Sequence, residues 1–124
     1  MTLTRVQSAP RPVTWADGTP SAPMPCWLYP QVPGLYVTER PDDVFGPFYG
    51  IHHLASGALF GTYYDTLADA ERALEAVAPL FDWTKPMDVL RAEKDLRTTI
   101  DPTLPDRLAA ALRPTPRRTS EDAV

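Results

Sequence analysis

His52 and His53 carry the side chain best suited to proton transfer near neutral pH, and the chain holds only these 2 histidines. Adjacent on the extended run FYGIHHL, they point to opposite faces, so they cannot share one metal ion without a kink. Used singly, His52 or His53 could serve as a general base beside Asp65 or Glu39. The structural alternative makes one a half-buried, hydrogen-bonded strand residue and the other a solvated one. Cys26 is the single cysteine; it follows Pro23 and Pro25 with no basic neighbour to favour a thiolate, and reads as a small hydrophobe. One cysteine allows neither an internal disulfide nor a zinc site of several thiolates, and it suits a reducing, cytoplasmic setting. Ser56 in LASGAL lacks the pattern of a nucleophile elbow and reads as a turn residue. Gly46, Gly50, Gly57 and Gly61 are dispersed, and no Gly-Lys-Ser or Gly-Lys-Thr follows them to cradle a phosphate. These residues predict no enzyme, no metal and no cofactor, with a small enzyme using His52 or His53 as an alternative.

The elements that must position these residues centre on Phe48 to Phe81. Phe48 to Leu54 alternates aromatic and β-branched residues as a strand does, Ala55-Ser56-Gly57 supplies a turn, and Ala58 to Tyr64 resumes the extended pattern. Thr66 then stands as a helix N-cap with Asp69 three residues on. Leu67, Ala70, Leu74, Val77 and Phe81 follow at helical spacing, so a helix over 66–80 should lay this stripe on the hairpin. Leu35 to Arg40 adds a third strand in meander order. Pro86 opens a second helix in which Val89, Ala92, Leu96 and Ile100 repeat at helical spacing, with Glu93 and Arg97 on the wet side. Leu104 to Leu112 forms a third, short helix.

The expected fold is therefore a small α+β domain over 35–112: a three-stranded antiparallel sheet with a packed helix, followed by one or two further helices. A Pro-rich extended arm over 1–34 precedes it and a disordered tail over 113–124 follows. Fifteen prolines, seven of them within the arm, argue against regular structure there. Trp15, Trp27 and Tyr29 in the arm, with Tyr49 and Tyr64 on the strands, are the candidate partner-binding residues. The arm either folds back on its own sheet or docks elsewhere as a polyproline-like ligand. The net charge is −4, and between Leu35 and Thr84 only Arg40 and Arg72 are basic, which disfavours a polyanion partner and favours a protein with a basic surface. No long apolar run marks a leader or a membrane span.

Phe48 to Val77, with its aromatic strand, Ser56-Gly57 turn, second strand and TLADAE helix entry, resembles the three-stranded sheet plus helix of the arm-type DNA-binding domains of phage integrases (residues 48–77). The resemblance implies a similar fold. Where that family places Arg and Lys on the strands, this chain has Tyr49, Ile51, His53, Phe60, Thr62 and Tyr64, which separates fold from function. The expected function is a non-enzymatic accessory factor of bacterial, phage or mobile-element type. It would bind another macromolecule through the aromatic arm or the acidic module. The alternative is a nucleic-acid binder using the sheet or the C-terminal segment around Arg113, Arg117 and Arg118.

Overall fold

Strand structure begins well before Leu35. The computed structural model describes residues 3–114, in which β1 (Val6–Arg11), β2 (Met24–Leu28), β3 (Leu35–Arg40), β4 (Phe48–His53) and β5 (Leu59–Tyr64) precede α1 (Leu67–Val77), α2 (Met87–Ile100) and α3 (Leu104–Leu112). A short 3-10 turn, Ala78–Leu80, follows α1. Every strand pairs antiparallel with its neighbour in the chain, in the order β1-β2-β3-β4-β5. The α+β class stands, but the expected three-stranded sheet is corrected to five strands, and the two extra strands come from the segment expected to be an extended arm.

The placement of the prolines explains the correction. Pro10 lies on the edge strand, within the register irregularity between Ser8 and Arg11. Pro25 lies outside the β2–β3 ladder, which begins at the pair Cys26–Thr38. Neither ring therefore removes a donor that the sheet requires. Pro12, Pro20 and Pro23 fall in the 12–23 strap between the two strands, where no ladder is needed.

Alternation along the strands divides the sheet into two covered faces. Leu35, Val37 and Ile51 face the helices and meet Ala70, Leu74 and Val77 of α1, with Trp83, Leu90 and Leu108 completing the main core. Met24, Cys26 and Tyr36 point the other way and are covered by Val13 and Trp15 of the strap. The strap is pinned at the far side of the sheet: the Thr14 N–H donates to the Gly57 carbonyl at 3.0 Å and its hydroxyl to the Ser56 carbonyl at 3.0 Å. The Arg40 guanidinium lies over the rings of both Trp15 and Tyr63, at 5.0 and 5.2 Å.

Helix α1 starts as its sequence predicts, with the Thr66 hydroxyl accepting the Asp69 N–H at 3.1 Å. Its far end is closed from outside the helix. The Trp83 indole N–H donates to the Val77 carbonyl at 3.0 Å, and Arg97 donates to the Leu80 carbonyl at 2.5 Å. On its outer flank Glu71 receives both Arg5 nitrogens, at 2.7 and 2.8 Å, and the Tyr29 hydroxyl at 2.5 Å. After α3 the expected tail begins with Arg113 and Pro114 in irregular backbone, and 115–124 lie outside the described residues. No helix among the described residues is long and apolar enough to cross a membrane.

At Gly34 the β2–β3 connection comes close against the Trp83 backbone. The φ of Gly34 is +98°, and a Cβ there would stand 2.2 Å from the Trp83 carbonyl oxygen. Gly18 has a similar φ of +87° with open space around it. Gly18→Ala should therefore cost about 1–2 kcal/mol from the left-handed backbone alone. Gly34→Ala should cost about 1–3 kcal/mol more, because the Trp83–Thr84 backbone must move. Urea denaturation of both variants checks this, and equal losses would show that the junction is loosely packed.

Candidate functional site

Both histidines are interior residues: His52 is 1% exposed and His53 0%. The expectation of one half-buried and one solvated imidazole is corrected: His52 packs beside the Tyr36 ring, 5.6 Å between centroids, and His53 against the link after α1. They do lie on opposite faces, and their partners select opposite tautomers. His53 Nε2 faces two acceptors, the carbonyls of Trp83 at 3.1 Å and Lys85 at 2.9 Å, so it carries the proton. Its Nδ1 then accepts the Ser56 hydroxyl at 2.9 Å. His52 reverses the pattern, with Nδ1 donating to the Gly57 carbonyl at 3.2 Å and Nε2 left without a hydrogen-bond partner among the described residues. Glu39 does not assist either histidine: its carboxylate accepts the Tyr49 hydroxyl at 3.0 Å. Cys26 is fully buried, its thiol directed at the Ala9 carbonyl at 3.4 Å. Among the described residues no group of three or more His, Cys, Asp or Glu side chains is arranged to hold a metal ion.

The five aromatic candidates are scattered through the fold. Tyr29 and Tyr64 are buried, and their hydroxyls bond to Glu71 and to the Leu112 carbonyl. Trp27 and Tyr49 are half-buried and in contact across the sheet at 6.2 Å. Trp15 is half-buried beneath Arg40 on the other face. Tyr49, Ile51, His53, Phe60 and Tyr64, five of the positions compared above with the integrase strands, all belong to the helix-covered side.

The exposed apolar surface lies on α2. Of its fourteen residues only Leu90 is buried. Val89 is 43% exposed, Leu96 67% and Ile100 81%, and Ala92 is exposed between them. The spacing that predicts a core-facing stripe thus describes a solvent-facing one. The side read as wet turns toward the fold, where Glu93 meets Lys85 at 2.9 Å and Arg97 lies 4.5 Å over the Phe81 ring. At 100° per residue, Asp88 and Asp95 fall along one margin of the stripe and Glu93 along the other. A smaller apolar tip, Val44 and Phe45, stands on the β3–β4 turn, where the Asp42 carboxylate accepts both their N–H groups at 2.8 Å. The signal that could have found the α2 surface was in the chain: two competing stripes, of which Met87-Leu90-Lys94 faces inward and the more apolar one does not.

Compared with known proteins, the chain matches no family model, no curated protein and no solved structure.

His52 makes a testable difference to stability. Burial, only partly offset by the bond to Gly57, lowers its pKa from 6.5 to about 4. Between these values the unfolded chain binds a proton that the native state refuses. Stability contributed by neutral His52 is therefore complete above pH 6.5 and is lost as the pH falls toward 4. Between pH 7 and pH 4.5 the loss should be about 2–3 kcal/mol larger in the wild type than in His52→Gln, whose side chain does not titrate. Parallel acid-to-neutral urea titrations measure this, and identical slopes would mean that His52 is not held neutral.

Proposed function

We propose that this protein is a non-enzymatic accessory factor that binds another protein through the exposed face of α2. The observation that carries the proposal is the solvent-facing stripe of Val89, Ala92, Leu96 and Ile100 on a helix with one buried residue. Water-exposed apolar side chains in register along a helix gain free energy when a complementary surface removes them from water. The occupant that best fits is an amphipathic helix with a basic flank, laid against the stripe.

Charge favours this occupant over a second copy of the chain. Two antiparallel copies of α2 centred on the stripe would bring the Asp95 residues of the two copies together, and two parallel copies would set Asp88 of one against Glu93 of the other. Neither Asp88 nor Asp95 makes an ion pair among the described residues. A Lys- or Arg-bearing partner would supply the missing counter-charges, in keeping with the chain's net charge of −4. The enclosed positions of His52 and His53 give no support to the enzymatic alternative.

A designed peptide with leucine at the seam and lysine on the flank provides the test, paired with a version carrying glutamate on the flank. The lysine peptide should bind saturably and weaken with salt, while the glutamate peptide should not bind. Leu96→Glu or Ile100→Glu should reduce binding at least about tenfold while changing stability by no more than about 0.5 kcal/mol. Binding unaffected by these variants, or a dimer in sedimentation that Leu96→Glu dissolves, would overturn the assignment of α2 to a basic helical partner.

A further inference from the structure

On the flank of α2 turned toward the fold lies a cleft of about 60 Å³, lined by Phe60, Phe81, Trp83, Leu90 and Leu108, with Met87, Arg91 and Lys94 at its rim. At 100° per residue these α2 positions lie opposite the Val89–Leu96–Ile100 stripe, so the cleft is separate from the proposed docking face. Its floor is built from packed aromatic rings. Phe60 meets Trp83 edge-on at 4.7 Å, and Phe81 lies 5.3 Å from the same ring. The Trp83 indole N–H is already committed to the Val77 carbonyl, which leaves a carbon surface toward the cleft.

The rim carries two cations that lie against no carboxylate among the described residues. Arg5, Arg72, Lys85, Arg97 and Arg107 each lie against a carboxylate. Arg91 and Lys94, one helical turn apart, make no ion pair or side-chain hydrogen bond among the described residues. Two uncommitted cations above an apolar cleft complement an amphiphilic anion: the tail displaces water from the rings, and the head meets a guanidinium and an ammonium. A neutral analogue gains only the tail contact, and a cationic one is repelled. A cavity of about 150 Å³ accepts a benzene ring, so this one admits the end of an aliphatic chain rather than a ring system.

We infer that this cleft binds a small aliphatic carboxylate, its tail between Trp83 and Leu90 and its carboxylate between Arg91 and Lys94. Hexanoate, hexanol and hexylamine, titrated into the full chain and followed through the Trp83 indole and Leu90 amide resonances, test the assignment. Hexanoate should shift both signals saturably. Hexanol should bind at least about tenfold more weakly and hexylamine not at all. The Arg91→Gln, Lys94→Gln double variant, confirmed as folded by circular dichroism, should reduce hexanoate binding to the hexanol level. The inference is overturned if the Trp83 and Leu90 signals do not move, if hexanoate binds no better than hexanol, or if the double variant binds hexanoate as well as the wild type.

Discussion

The hydrogen bonds of His53 Nε2 to the carbonyls of Trp83 and Lys85 hold β4 to the link between α1 and α2. Both acceptors lie in a link that makes no strand ladder, and a buried carbonyl left without a donor there would cost about 1–3 kcal/mol. The same link is approached from the other side by Gly34, whose lack of a side chain lets the β2–β3 connection touch the Trp83 backbone. The Gly34 carbonyl also accepts the Leu54 N–H at 2.8 Å, so the end of β4 and the start of β3 are fastened at one point. With this junction in place, the Trp83 ring reaches back to close α1 and forms the floor on which α2 rests.

A second fastening, at Glu71, explains how a proline-rich segment becomes part of the sheet. Arg5 just before β1 and Tyr29 just after β2 converge on one carboxylate of α1. The Arg5 bond, and then that of Tyr29, hold the Glu71 carboxyl below its ordinary pKa against the opposing effect of burial. A two-nitrogen grip of this kind is stronger than the usual exposed pair, because it fixes geometry as well as charge. The strap between the strands then covers the second face at little entropic cost, since its prolines already restrict the unfolded chain. The cover has a polar cost: the Thr38 hydroxyl and His52 Nε2, on that same face, are buried without hydrogen-bond partners among the described residues.

These two fastenings leave α2 with a single buried residue, Leu90. The sheet's helix side is already filled by α1 and by residues from the link, and α2 adds Leu90 and the inward-turned Glu93 and Arg97. Its more apolar flank covers no other surface among the described residues. The proposed protein partner, and the carboxylate cleft on the opposite flank, both follow from that surplus: one side offers area without a lid, the other a small recess with uncommitted charge.

By itself the sequence determined what depends on neighbours a few residues apart. Period-two alternation marked β3, β4 and β5, Thr66 and Asp69 marked the start of α1, and Pro86 and Pro105 marked α2 and α3. It also determined that His52 and His53 lie on opposite faces, since that is the geometry of any extended chain. Tertiary structure decided what depends on distant partners. Pro10 and Pro25 forbid a ladder only where a donor is required, and whether one is required depends on which strand lies alongside. Glu71 looks like a wet-face residue until Arg5, 66 positions away, is brought to it. Likewise the α2 stripe has the same period whether it faces a core or water, because periodicity specifies a face and only the remaining unfilled surface of the fold specifies its direction.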